Sequence, residues 1–191
     1  MATTQVTTYV RIAEVLTGLG MITRDKARKV LEEAASHATE PIRGGHEIAD
    51  SLESFGVAVA IHCEDVDFAD AHYEWLLNEA AALTDGKVTV SDYRFEKTRP
   101  EDEDCGLGTM HFTRNGKPFS FGVEQESNDY LDMGAARQAI EALSPDDDPR
   151  DFRCVEQEGP HFDDDFMVLA TAEQREGLQR HLGITFEPPL G

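Results

Sequence analysis

The run HFTRNGKPFSFGV, residues 111–123, permits few structures. Asn115-Gly116 is the signature of a two-residue type I′ turn, whose central positions both need positive φ. A two-residue turn fixes the register on either side of it. Arg114 then faces Lys117, Phe112 faces Phe119 and Met110 faces Phe121. All three pairs fall on one face of the hairpin, and the apolar ones make it a core face. A slip of one residue would turn every one of those side chains over, so turn and pattern must agree.

The neighbouring segments extend the hairpin into a domain. Asp132 is placed to cap a helix in which Met133, Ala136, Ile140 and Leu143 point inward. After the loop SPDDDPRD, strands are expected at residues 152–157 and 166–170. A helix follows, opened by a capping box of Thr171 and Gln174 and ending near Gly183. Residues 107–143 and 152–182 thus share the order strand, strand, helix. Upstream, FGVAVAIH (residues 55–62) is a short continuous apolar run, the pattern of a buried strand. In DVDFADAHYEWLLNEAAALTDG a helix is expected, with Asp65 or Asp67 as cap, Phe68, Ala71, Trp75, Leu76 and Leu83 as its buried stripe, and Gly86 beyond its end. Residues 87–95 are rich in β-branched and aromatic side chains and predict a strand. Residues 1–54 predict a helical appendage: Val6, Tyr9, Val10, Ala13 and Leu16 line one helix, and Ala27, Val30, Leu31, Ala34 and Ala38 line a second, capped by Thr23. A short third helix over residues 46–54 carries Ile48 and Leu52. The class expected is α+β, a largely antiparallel sheet with helices packed on it over residues 55–191, preceded by that helical segment.

Charge narrows the functions open to such a fold. The formal net charge is −21, and residues 101–191 carry 21 acids against 7 Lys or Arg, compared with 17 against 10 in residues 1–100. Such a chain repels nucleic acid phosphates and anionic membranes, and attracts basic partners over a Debye length of about 8–10 Å. Basic patches with interleaved aromatics are absent, which argues against direct nucleic acid binding. Acidity also serves solubility or adaptation to salt, and lysine is scarce, with 5 against 12 arginines. No apolar run approaches the roughly 20 residues of a membrane helix, and the first residues lack the pattern of a secretory signal. A soluble cytoplasmic protein is the expectation. Cys63, Cys105 and Cys154 are odd in number and widely spaced, which fits reduced thiols better than a disulfide framework.

No complete catalytic signature is present. His46-Glu47-Ile48-Ala49-Asp50 resembles a metalloprotease helix with its second histidine replaced, and a solvated helix face explains it better. His62, Cys63, Cys105, His111, Cys154 and His161 are scattered rather than paired at zinc spacing. Asp65, Asp67, Asp70 and His72 lack the glycine and distal glutamate of a calcium loop. The runs Asp146–Asp148 and Asp163–Asp165 fit hydrated loops. None of these constellations calls for a metal or cofactor. A Cys–His or carboxylate pair assembled in space remains the enzymatic alternative.

The hairpin, its acidic exit NDYLD, the capped helix and the closing FDDDFMVLATAEQREGL together resemble the small acidic immunity proteins encoded beside bacterial polymorphic toxins, over residues 107–183. The resemblance implies a cytosolic protein that binds and blocks a cognate toxin, often a basic nuclease, and catalyses nothing. The candidate docking face takes Glu124, Glu126, Asp129 and Asp132 after the hairpin, with Glu156, Glu158, Asp163, Asp164 and Asp165 between the last two strands. Carboxylates there would steer a basic protein, and Tyr130 and Phe162 would anchor it. Phe166 is expected in the core. An acidic adaptor or nucleic acid mimic, with carboxylates spaced along a ridge, is a further alternative.

Overall fold

The computed structural model describes residues 6–62, 69–98, 106–125, 130–157 and 164–190. Three helices come first: α1 (Tyr9–Gly18), α2 (Arg24–Glu33) and α3 (Gly44–Ser54). Then follow β1 (Ala58–His62), α4 (Ala69–Ala82), β2 (Val90–Lys97), β3 (Gly106–Arg114), β4 (Lys117–Gln125), α5 (Met133–Glu141), β5 (Asp151–Cys154), β6 (Asp164–Ala170) and α6 (Ala172–Leu182). The protein is α+β, with a helical segment before the sheets. Among the described residues the strands form two antiparallel three-stranded sheets, ordered β1-β6-β5 and β2-β3-β4.

The first sheet is covered on both faces, and strand alternation divides its side chains between two cores. Ala58, Ala60, Phe166, Val168 and Ala170 pack with apolar residues of α1, α2, α3 and α6. Val59, Ile61, Phe152, Cys154, Met167 and Leu169 pack with α4, α5 and the second sheet. This explains the unbroken apolar run of β6: a strand with no wet face needs no polar alternation. Phe166 is 1% exposed, in the core as its sequence context predicts. The two strand–strand–helix units feed different sheets, β3 and β4 joining β2 while β5 and β6 join β1.

The hairpin register is as the turn requires. Arg114 pairs with Lys117, Phe112 with Phe119 and Met110 with Phe121, and Asn115 and Gly116 have φ of 50° and 75°. Met110, Phe112 and Phe121 are buried, whereas Phe119, in the third pair from the turn, is 38% exposed. Asn115 also does something the turn motif does not predict. Its side-chain oxygen accepts the Thr89 N–H at 2.8 Å, and its amide donates to the Lys87 carbonyl at 3.1 Å. Residues 87–89 are thereby held against the turn, and β2 starts at Val90 rather than Lys87. A break in register between Ser91 and Arg94, with Asp92 at φ 58°, bends the strand.

Helix ends follow their caps. Thr8, Thr23, Asp132 and Thr171 each accept a backbone N–H from the first turn of α1, α2, α5 and α6. Thr171 and Gln174 complete a reciprocal capping box, and Gly183 ends α6 in a left-handed conformation. In α6, Gly177 lets the helix approach the end of α1, because a Cβ there would lie 2.3 Å from a Leu19 methyl.

Two expected apolar faces are rotated from their sequence reading. The buried face of α4 is Tyr73, Leu76, Leu77, Ala80 and Ala81, while Trp75 is 43% exposed and Ala71 is exposed. Tyr73 can be fully buried because its hydroxyl donates to the Asp132 carbonyl at 3.3 Å. Trp75, two residues on, then lies about 200° round the helix. In α1 the buried residues include Ile12 and Val15, while Val6 lies before the helix and is 59% exposed. Asp65, Asp67 and Phe68 lie outside the described residues.

Two substitutions test the hairpin. Phe121→Ala should lower unfolding free energy by about 3–5 kcal/mol, as for other large aromatics removed from a core. Gly116→Val should cost roughly 1–3 kcal/mol, because a β-branched residue resists positive φ. Urea midpoints equal to the parent's for both variants would refute the assigned register.

Candidate functional site

Of the acids and aromatics expected to dock a partner, Glu126, Asp129, Glu158, Phe162 and Asp163 lie outside the described residues. The rest fall into two groups linked by α5. At the junction of β4 and α5, Asp132 holds two backbones at once: one carboxylate oxygen accepts the Ala135 N–H at 3.0 Å and the other the Glu124 N–H at 2.8 Å. This clamp fixes Glu124, whose side chain is exposed, near the start of α5. Leu131 is buried beside it, and Tyr130 projects with 49% of its surface exposed. Asp132 itself is engaged as a cap, so Glu124 and Tyr130 are the groups here with free contact surface.

The second group lies at the start of β6. Asp165 is only 4% exposed. Its carboxylate takes two hydrogen bonds from the Arg137 guanidinium, through Nε and, at 2.7 Å, through Nη2. Arg137 also donates to Glu187 at 2.7 Å. Asp165 is therefore an internal ion-pair partner of α5 rather than part of an exposed face. Glu156 is exposed, and its backbone N–H is held by the Thr185 carbonyl at 2.9 Å.

Asp164 belongs to a cluster that sequence spacing does not reveal. Antiparallel pairing sets it opposite His62, whose Nδ1 lies 2.7 Å from its Oδ1. From α3, His46 Nε2 approaches the other oxygen at 3.8 Å, and the His46 ring stands edge-on to Phe166. A carboxylate hydrogen-bonded to Nδ1 holds that imidazole in one tautomer and leaves Nε2 as its basic nitrogen. His62 and Asp164 are 48% and 32% exposed in their side chains, so the dyad is reachable from solvent. On α4, His72 lies 5.4 Å from the Trp75 ring and is held below its ordinary pKa by burial and then by His62. No group of three or more His, Cys, Asp or Glu among the described residues is arranged to hold a metal ion.

The buried thiol is a poor nucleophile. Cys154 is 3% exposed, and burial followed by the Asp165 charge pushes its pKa up to about 12. Cys63, Cys105 and His161 lie outside the described residues. No helix among the described residues is long and apolar enough to cross a membrane.

The cations are distributed unlike the acids. Of the seven Lys and Arg in residues 101–191, five are drawn into internal ion pairs: Arg114 with Asp146, Arg137 with Asp165 and Glu187, Arg150 with Asp148 and Asp85, and both Arg153 and Arg175 with Asp151. Arg150, with Lys87, covers Asp148 so fully that its side chain is 4% exposed, and the Arg150 hydrogen bonds hold that carboxyl well below the usual range. Lys117 and Arg180 remain exposed in this half. Comparisons with protein-family models, with curated proteins and with solved structures found no match.

Two measurements probe these arrangements. Arg137→Ala leaves the Asp165 carboxylate buried without its partner and should destabilise the protein by about 3–5 kcal/mol; an unchanged urea midpoint would show the pair to be dispensable. His72 has a lowered pKa in the folded state, so the unfolded chain binds its proton more readily. Stability should then fall as pH drops through about 6.5, and His72→Gln should flatten that part of the stability–pH curve. Identical curves would remove His72 from the acid response.

Proposed function

We propose that this chain is a non-catalytic protein-binding module whose acidic surface docks a basic protein, in the manner of the immunity proteins that residues 107–183 resemble. The observation that carries the reading is the inward use of cations. Five of seven in the C-terminal half are engaged in internal ion pairs, while Glu124, Asp147 and Glu156 are exposed with no ion-pair partner among the described residues. Glu124 is exposed near Tyr130, an aromatic on the corner that the Asp132 clamp holds. Carboxylates in that setting speed encounter with a basic surface, and the aromatic supplies contact area once encounter has occurred. Blocking a nuclease by occupying its phosphate-binding surface needs no more than this.

A second reading rests on the His62–Asp164 dyad, since an imidazole oriented by a carboxylate is the arrangement of a general base. It differs from docking in one respect: it requires turnover that depends on His62.

The docking reading is tested with the protein encoded by the adjacent gene. Surface plasmon resonance should give an association rate that falls steeply with ionic strength. The combined variant Glu124→Gln, Glu126→Gln, Asp129→Asn and Glu156→Gln should associate about tenfold more slowly in low salt, with a flatter salt dependence and unchanged stability. A rate indifferent to all four substitutions would assign these acids to ordinary solvated surface. Loss of neutralisation on His62→Gln, with binding intact, would favour the enzymatic reading instead.

A further inference from the structure

The outer N–H and C=O groups of an edge strand have no ladder partner, and an edge left bare is a template for another strand. Among the described residues the two sheets end in β1, β5, β2 and β4, and the first three edges are guarded. On β1, the Ala60 N–H donates to the Glu53 carboxylate at 3.3 Å. Residues 185–187 run along β5, where the Glu187 N–H donates to the Cys154 carbonyl at 3.0 Å and Phe186 pairs with Val155. Strand β2 is bent at Asp92 and carries Arg94, Glu96 and Lys97; bends and charges both discourage pairing.

Strand β4 is guarded only at its ends. The two-residue turn makes Arg114 and Lys117 a hydrogen-bonded pair, so odd-numbered residues of β4 bond to β3 and even-numbered ones point their N–H groups outward. Pro118 has no N–H to offer, and the Glu124 N–H donates to Asp132 at 2.8 Å. Between them, the outward N–H groups of Ser120 and Gly122 have no acceptor among the described residues. Both residues are exposed, and no heavy atom lies within 4 Å of where a Gly122 Cβ would stand. Phe119 adds an apolar contact beside them. Its ring packs on Phe112 with centroids 5.3 Å apart, yet 38% of the residue is exposed.

We propose that β4 receives, as an added strand, an extended segment of the basic partner, an inference that rests on the docking reading above. Main-chain hydrogen bonds to Ser120 and Gly122 would hold it, and the two faces of β4 set its side chains. Phe119 lies on the core face, so the partner residue beside it is apolar. The other face ends in Glu124, which has no ion-pair partner among the described residues and meets Lys or Arg. Lys117, at the turn end, is answered locally: Arg114 first and then Lys117 hold the Asp146 carboxyl below its usual range. A second copy of this chain fits less well, because each copy brings a formal charge of −21.

The test titrates the full chain into fluorescein-labelled peptides of about seven residues, an ordinary strand length. One alternates Lys with Val. A second is the same with two consecutive central amides methylated, which removes a donor from each of its edges, and a third has Glu in place of Lys. Fluorescence anisotropy in about 0.15 M salt should give a Kd about tenfold lower for the unmethylated Lys peptide than for the other two. Ser120→Pro deletes one outward donor without touching the β3–β4 ladder, as Pro118 does naturally. Its urea midpoint should match the parent's, while affinity for the Lys peptide should fall about tenfold. Hydrogen exchange should show the Ser120 and Gly122 amides unprotected in the free chain and protected once the peptide binds. Equal affinity for methylated and unmethylated peptides, binding of no peptide, or slow exchange of these amides in the free chain overturns the proposal. So does sedimentation showing a dimer that Ser120→Pro dissociates. Binding weakened by Glu124→Gln but indifferent to methylation and to Ser120→Pro removes the edge and keeps the docking reading. Equal binding of the Lys and Glu peptides, with methylation still blocking both, removes the basic occupant.

Discussion

Strand β6 has apolar side chains on both faces, and neither face can be left to water. Phe166, Val168 and Ala170 point to the side where α1, α2, α3 and α6 lie, and Met167 and Leu169 to the side of α4, α5 and the second sheet. Burying a single large apolar side chain contributes about 1.5–3 kcal/mol, so this one strand supports two cores. Its antiparallel partners β1 and β5 share the burden, β1 being a strand of five residues without a wet face until His62. The helical first third and the β2–β4 meander are thus opposite answers to one constraint, each covering a face that the central sheet leaves apolar.

Charge is organised by the same geometry. Arginines reach from α5, β5 and α6 toward carboxylates on neighbouring elements, as Arg137 does to Asp165 and Glu187 and Arg175 to Asp151. The Arg137–Asp165 pair ties α5 to β6, which already meet in one core, whereas Arg175 ties α6 to β5, whose apolar residues lie in different cores. The exposed pairs contribute little, whereas Asp165, nearly inaccessible, depends on its partner. Cations drawn inward leave the surrounding acids without neighbours of opposite sign. The acidic character of the C-terminal half is therefore a property of the folded surface as much as of the composition.

The two parts of the candidate docking face were unequally legible. Glu124 and Tyr130 follow the hairpin closely in sequence, and the clamp through Asp132 keeps them together, so their proximity could be read from the chain. Asp165 reads as one acid in a run of three, and its burial depends on a helix more than two dozen residues earlier. The His62–Asp164 contact joins residues 102 apart. No local pattern announces it, because the pairing of β1 with β6 is fixed by burial of both strands and not by any turn between them. The buried face of α4 is not legible locally for a related reason: apolar spacing alone admits both Tyr73 and Trp75, and the acceptor for the Tyr73 hydroxyl comes from another element.

What the sequence determined by itself was local. The Asn-Gly turn set the register of β3 and β4, because only one pairing is compatible with a two-residue loop. The Thr and Asp caps set helix starts, because each provides an acceptor within a few residues of an unsatisfied N–H. Tertiary structure decided the partition of strands between two sheets, the side of α4 that is buried, the neutralisation of Asp165 and the meeting of His62 with Asp164. These depend on contacts between segments whose relative placement costs chain entropy and is settled only when both faces of the central sheet are covered.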